Sequence, residues 1–440
     1  MKKLFFILFA LFCLCGGSIL AQRNCGYEYV HKKALEYNPD FDKDRQQIIS
    51  GLSKFSAARK TAGTPTTLYV PIVFHIVLNS SQLTQLDPAT ITDRINTQIQ
   101  VLNEDYDRGN ADSVDIPTAF KQLYQSTNIK FALTHKDPSG NYTPGYEIVN
   151  TTSSGFDYTT QDAKHSSKGG ADAWDVTKYI NVWVINFSPA TVIGLTVAPS
   201  YTISGGYATD EMGIQICYGT FGRRTSPGEY FLPYGSGTPF DKGRTLSHEM
   251  GHFFEMIHVW GDDGGLCPGS GGSDDGIPDT PPQADHTYGC PTYPLVDACS
   301  GAPNGIMFMN FMDYTDDACM HMFTRDQDSV MYSQLLPGGE SYSLTTHHDL
   351  LEVPENFSPT EIDFIVSPNP TSGNITVTFI NKPYALQSIK VLNTLGQQVK
   401  YISATQSSVY AIDLTSMAKG MYFVECNYAT GKEVRKILLQ

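Results

Sequence analysis

His248, Glu249 and His252 stand in the string His248-Glu249-Met250-Gly251-His252, and a third histidine, His258, follows shortly after. On an α-helix, residues four apart lie one turn apart on nearly the same face, so His248 and His252 can aim two imidazoles at one metal ion. Glu249 leaves the same turn towards the ion's open position. A water activated there, its pKa lowered to roughly 7, can lose its proton to a carboxylate and be driven at a scissile carbonyl. Zinc-dependent hydrolysis of peptide bonds, with Glu249 as general base and acid, is the chemistry these residue types offer at this spacing. His258 would lie about 15 Å from His248 along a straight helix at ~1.5 Å per residue. That is too far to share an ion whose nitrogen ligands sit at ~2.0–2.1 Å. The helix is therefore expected to end between His252 and His258.

The string is similar to the metzincin pattern HExxHxxGxxH, except that Glu255 stands at the glycine position. Glycine takes φ > 0 freely, whereas a glutamate there costs on the order of 1–2 kcal/mol, so Glu255→Gly should preserve or raise stability if the turn is kept. Downstream, Met309-Asn310-Phe311-Met312-Asp313-Tyr314 resembles a metzincin Met-turn. Three further strings sharpen the match: the run from His258-Val259-Trp260-Gly261-Asp262-Asp263 into two glycines, Asp279-Thr280-Pro281, and Thr315-Asp316-Asp317-Ala318-Cys319-Met320. With them the chain resembles the bacterial branch of the pappalysin family over residues 69–350. The opening Val70-Pro71-Ile72-Val73-Phe74-His75 and the central Gly169-Gly170-Ala171-Asp172-Ala173-Trp174-Asp175 belong to the same likeness.

The resemblance implies an α/β (α+β) metzincin-like zinc peptidase domain. Zinc would be held by His248, His252 and His258, with Met312 beneath it and Tyr314 bonding the tetrahedral intermediate. It implies an inhibitory cysteine at Cys25, a fourth zinc ligand in a latent form, because Gln22-Arg23-Asn24-Cys25-Gly26 is similar to the family's cysteine-switch segment. It pairs Cys267 with Cys299 and Cys290 with Cys319, places calcium ligands at Asp275 and Thr280, and puts Asp317 on the floor of a pocket for a basic side chain. Cleavage before Arg, and less readily Lys, is then expected. Arg59 and Lys60 would be sites for autolytic removal of the leader. Two alternatives stay open: Asp317 caps a turn or binds calcium, and the acidic loop around Asp275 is merely solvated. A rival from another class is a non-catalytic secreted surface or adhesion protein that keeps the fold, with Glu255 the sign of a lapsed site.

The elements that must position these residues are legible in outline. Residues 70–77, 129–134 and 179–185 alternate or run apolar like strands, and 213–217 is strand-like. Residues 88–103 carry Ile91, Ile95, Ile99 and Leu102 on one side of a helix, and 191–199 is expected to form the edge strand along the cleft. Residues 261–306 form a long loop region, suspicious in a compact domain unless stapled. Cys267, Cys290, Cys299 and Cys319 can staple it in three pairings.

Met1-Lys2-Lys3, an apolar run and small residues up to Ala21 read as a secretory signal over 1–21, and no later stretch is long and apolar enough to span a bilayer. Nine cysteines, with Cys13 and Cys15 inside that signal, leave seven in a chain exported to a disulfide-permissive compartment. Of these, Cys217 and Cys426 are expected as buried free thiols. Residues 22–60, polar and too poorly apolar to fold alone, read as a propeptide ahead of a catalytic domain over 61–350. The net charge of −15 argues against nucleic acid and suits calcium or cationic substrates. A linker over 351–362 leads to short alternating runs at 375–379, 388–392, 409–413, 420–425 and 434–438, a separate C-terminal all-β sandwich over 363–440. Its Asn369-Pro370, Gly420-Met421-Tyr422 and terminal Lys436-Ile437-Leu438-Leu439-Gln440 resemble the sorting domain of type IX secretion, which implies that machinery as a partner beside protein or peptide substrates; a carbohydrate-binding or adhesive module is the alternative.

Overall fold

The computed structural model describes residues 23–46, 66–86, 88–233, 237–268, 270, 272, 274–352, 364–379, 386–404, 409–428 and 431–440. The signal 1–21, Arg59 and Lys60, and nearly all of the 351–362 linker lie outside the described residues.

The larger unit is a six-stranded sheet. Strands β1 (Leu68–Leu78), β2 (Ile129–Leu133), β3 (Tyr146–Asn150), β4 (Ile180–Ile185), β5 (Gly194–Val197) and β6 (Gly213–Cys217) stand in the order β2-β1-β4-β6-β5, and β3 continues the β2 side of β1. All pairs are parallel except β5 with β6. β1 and β4 are runs of Val, Ile, Phe and Trp buried on both faces, the composition a covered parallel sheet demands. Pro71 is tolerated because pairing to β4 begins only at Ile72. The helix Pro88–Tyr106 packs on β2, and the helix Arg244–Phe253 packs on β5 and β6 and against Pro88–Tyr106. Antiparallel β5 is the edge strand, with one side open to a chain lying in the cleft.

Two features were not legible in the sequence. Residues 22–60 begin with a helix, Tyr27–Tyr37, whose buried Tyr27, Val30 and Ala34 join the main core. The described part of the segment, residues 23–46, thus folds on the large unit rather than alone. A second helix, Arg325–Gln334, is capped by Thr324, whose hydroxyl accepts from the Gln327 N–H while the Gln327 side chain returns to the Thr324 N–H. Residues 261–306 contain no helix or strand among the described residues, and Cys267–Cys299 and Cys290–Cys319 staple them. With separations of 32 and 29 residues, each bridge removes chain entropy equivalent to about 3.5 kcal/mol. Cys217 and Cys426 are buried and unbridged.

The C-terminal unit has a four-stranded antiparallel sheet and a three-stranded one, enclosing a separate core of Val377, Ile389, Val391, Ile412, Val424 and Ile437. The strand Gln398–Ser403, absent from the sequence reading, alternates exposed and half-buried residues and lies at the edge of the larger sheet.

Candidate metal centre and cleft

The centre is built on the helix Arg244–Phe253, every residue of which is buried. Its first turn is anchored from behind. Ser247 Oγ donates to Asp105 at 2.6 Å, and the Arg244 guanidinium forks onto Asp112 with both bonds at 2.7 Å. The helix stops at Phe253 through a two-bond C-terminal turn: Met256 N–H donates to Gly251 O at 2.9 Å and Glu255 N–H to His252 O at 3.0 Å. In such a turn the residue past the cap is left-handed, the place usually given to glycine. Glu255 occupies it with φ of 69°. That reversal brings His258 back beside His248 and His252.

The Nε2 atoms of His248 and His258 each lie 3.2 Å from that of His252. A tetrahedral ion with ~2.05 Å bonds would separate two nitrogens by about 3.3 Å. The Nδ1 atoms are already committed as donors: His248 to Phe311 O at 2.7 Å, His252 to Met256 O at 2.8 Å, and His258 to the Asp262 carboxylate at 2.7 Å. Three Nε2 lone pairs therefore converge, the arrangement that a metal cation between them satisfies. Cys25 completes the group: one ligand atom from each of the four residues lies within 4.8 Å of the others, and all four are buried. Burial and the nearby Glu249 carboxylate push the Cys25 thiol well above its ordinary value. A divalent ion on the histidines reverses that balance and favours the thiolate.

Glu249 lies against the edge strand. Its Oε2 accepts from Thr196 Oγ1 at 2.8 Å, and burial raises its carboxyl to about 7. Only glycine fits opposite it, because a β-carbon on Gly194 would meet Glu249 Oε1 at 2.2 Å. The glycine inside the motif has a similar cause: a β-carbon on Gly251 would meet Met312 Sδ at 2.4 Å. Met312 is wholly buried, and its carbonyl accepts from Val259 N–H at 3.5 Å, one residue past His258. Tyr314 accepts the Cys25 N–H at 3.2 Å, and Trp260 stacks on His258 with centroids 4.2 Å apart.

The segment carrying Cys25 runs parallel to β5, with Ile193 N–H donating to Asn24 O at 2.9 Å and Gly26 N–H to Gly194 O at 2.8 Å. Tyr27 then stacks on His252 at 4.5 Å. Arg23, two residues before Cys25, reaches Asp317, which is wholly buried; its Nε donates to Thr315 O at 3.0 Å. The other Asp317 oxygen accepts from Lys242 N–H at 2.8 Å and Arg244 N–H at 3.3 Å. Asp317 thus pairs with Arg23 and caps a backbone turn at once.

Asp275 and Thr280 also meet, the hydroxyl donating to Oδ1 at 2.7 Å. Asp275 Oδ2 is buried without a hydrogen-bond partner among the described residues, and burial pushes this carboxyl up to about 8.

Sequence reasoning singled out the stretch around Cys25 but not Arg23, nor Tyr27, Thr196 and Gly194. A basic residue two positions before the cysteine, set against Asp317, was the one available signal.

Known proteins resemble the chain in two stretches. The peptidase M43 profile described as pregnancy-associated plasma protein-A matches residues 164–335, and that of the secretion system C-terminal sorting domain matches residues 366–440. Mature mirolysin of Tannerella forsythia, solved with a cleaved peptide, is similar at TM-score 0.59 and 36% identity, covering 66% of this chain and 100% of that one. A point mutant of Tannerella forsythia promirolysin is similar at TM-score 0.63 and 33% identity, covering 75% and 100%. An extracellular metalloprotease of Colletotrichum graminicola is 41% identical over 102 residues, 23% of this chain and 34% of that protein. The chain thus spans about a third of the length of curated relatives of this kind.

Proposed function

The chain belongs to the M43, or pappalysin, family of metallopeptidases, and from that premise we propose that it is a secreted zinc endopeptidase held latent by residues 22–60. The observation that carries this reading is the convergence of Cys25 with His248, His252 and His258 inside 4.8 Å. The three histidines would hold zinc throughout, and Cys25 would complete its ligands only in the latent chain. When bound, zinc polarises the scissile carbonyl and lowers the pKa of the hydrolytic water.

The remaining chemistry falls to the protein. Glu249, raised to about 7 by burial, is poised to take the water's proton and pass it to the leaving amine. The Tyr314 hydroxyl, released from the Cys25 N–H, would donate to the oxygen developing negative charge on the scissile carbon. An extended substrate would use the β5 backbone groups that Asn24 and Gly26 engage in the latent chain.

We assign the specificity pocket to Asp317 and infer cleavage before Arg, and less readily Lys. Its support is that the leader's own Arg23 sets its guanidinium on the buried Asp317 carboxylate, as a substrate's Arg would. Asp275 and Thr280 are proposed as calcium ligands, because a buried carboxylate oxygen without a partner is the kind of atom a hard cation satisfies. The C-terminal unit would engage the type IX secretion machinery, leaving the enzyme outside the cell or on its surface. Among the described residues no helix is long and apolar enough to cross a membrane. The non-catalytic rival loses its main argument, since Glu255 keeps the turn that returns His258 and has partners of its own.

The test is zinc content and peptide cleavage on chain lacking residues 1–60. About one zinc per chain and cuts before Arg are expected. One zinc per chain with no cleavage of any peptide in a proteome-derived library would favour the rival. A hydrophobic preference after the cut, unchanged by Asp317→Ala, would move the pocket elsewhere.

A further inference from the structure

Glu255 and Arg45 make a contact that neither the metal centre nor the cleft requires. The Glu255 carboxylate is buried, accepting from Ser200 N–H at 3.2 Å and Ser200 Oγ at 2.9 Å. Arg45 approaches it from the leader. Its Nε is 3.6 Å from Glu255 Oε2, and its Nη2 donates to the Glu255 carbonyl. Arg45 is itself buried, and the nearby Phe41 packs on Tyr201 with ring centroids 4.8 Å apart. The described part of the leader, residues 23–46, is therefore fastened near both its ends, by Arg23 on Asp317 and by Arg45 on Glu255, with Cys25 and the helix Tyr27–Tyr37 between them.

We propose that Glu255, in the position where the turn favours glycine, is a docking site for the leader's Arg45 and forms a second arginine–carboxylate lock on the latent state. The proposal rests on the reading of residues 22–60 as an inhibitory leader. A glycine would offer Arg45 the carbonyl but no charge. The carboxylate, which shares a hydrogen bond with the Glu340 carboxyl, supplies an ion-pair partner in a buried setting, where the attraction is strongest. Its bonds to Ser200 do not involve the leader, so the turn that carries His258 keeps its support after the leader departs. The lock therefore acts on release of the leader rather than on the shape of the centre.

Arg45→Ala in the full-length chain is the cleanest test, because the mature enzyme is chemically unchanged by it. In a Glu249→Ala background that cannot cut itself, hydrogen exchange of the Tyr27–Tyr37 amides should accelerate about ten-fold or more, as loss of a charge-assisted bond implies. Arg45→Lys should fall between, and Lys32→Ala, at an exposed position of the same helix, should change nothing. In a Glu255→Gln background, Arg45→Ala should lose the part of its effect owed to the charge and keep the part owed to the carbonyl. Unchanged exchange in Arg45→Ala, or an effect that Glu255→Gln leaves at full size, overturns the lock. Should Glu255→Gln not fold, Arg45→Lys exchanging as fast as Arg45→Ala would overturn it, since a retained charge must retain part of the hold. Exchange needs no peptidase activity, so an inactive mature chain would contradict the proposed function while leaving this measurement valid.

Discussion

The metal helix and the leader that covers it reach the same four ligand atoms by opposite routes. Along Arg244–Phe253 the geometry is local: His248 and His252 are one turn apart, and the turn at Glu255 brings His258 round within a few residues. The leader's charged contacts to the large unit are remote among the described residues, Arg23 bonding Asp317 across 294 positions and Arg45 reaching Glu255 across 210. A centre built locally does not draw its turn from the leader, while the leader is held by charged contacts together with the burial of Tyr27, Val30 and Ala34 against the large unit. This division is what a latent enzyme needs.

The largest expected effect lies on the local side. Glu249→Ala should leave zinc bound and cut kcat/KM by about 10³-fold or more on chain lacking residues 1–60, since base and ligands are separate groups. Zinc retained with full activity would break the mechanism. On the remote side, Cys25→Ala in the full-length chain should abolish latency, giving early activity or self-degradation during purification. Unchanged latency would mean that Arg23 and Arg45 suffice to block the cleft. Next in size, Asp317→Ala in the mature enzyme should reduce the preference for Arg over apolar residues by about 10- to 100-fold, the worth of a charge-assisted bond in a buried pocket.

Two smaller effects concern supports outside this contrast. Asp275 keeps its proton to about pH 8 in the fold against 3.8 in its ordinary state. The native chain then binds more protons than the unfolded one, so in a calcium-selective chelator stability should fall as pH rises from about 4 to about 8. Calcium should remove that slope, and an identical melting curve with and without calcium at pH 8, zinc retained, would remove calcium from the account. Smallest is Glu255→Gly in the mature chain. Glycine relieves about 1–2 kcal/mol of left-handed strain but gives up the two Ser200 bonds, so the unfolding free energy from urea titration should change by less than about 1.5 kcal/mol. A loss beyond about 3 kcal/mol would make the carboxylate the main support of the turn.

The same contrast explains what could be read in advance. The metal helix, its end before His258, strands β1, β2 and β4 and most of the sandwich follow from spacing and hydrophobic period, which are local. The leader helix was invisible because Tyr27, Val30 and Ala34 are its only buried residues, too few for a pattern, and they bury against a surface that exists only after folding. Glu255 could be recognised as a misfit in a glycine position, but its compensation came from Ser200 and Arg45, neither nearby in sequence. Asp317 was singled out for its pocket, yet only the fold brings Arg23 to it.

The central claim is that the latent chain carries zinc on three histidines and Cys25, and X-ray absorption at the zinc edge tests it most directly. The full-length chain should give nitrogen scatterers at ~2.0–2.1 Å and one sulfur at ~2.3 Å. The sulfur should vanish both in Cys25→Ser and after removal of residues 1–60. Zinc bound in the full-length chain with no sulfur in its first shell would contradict the account.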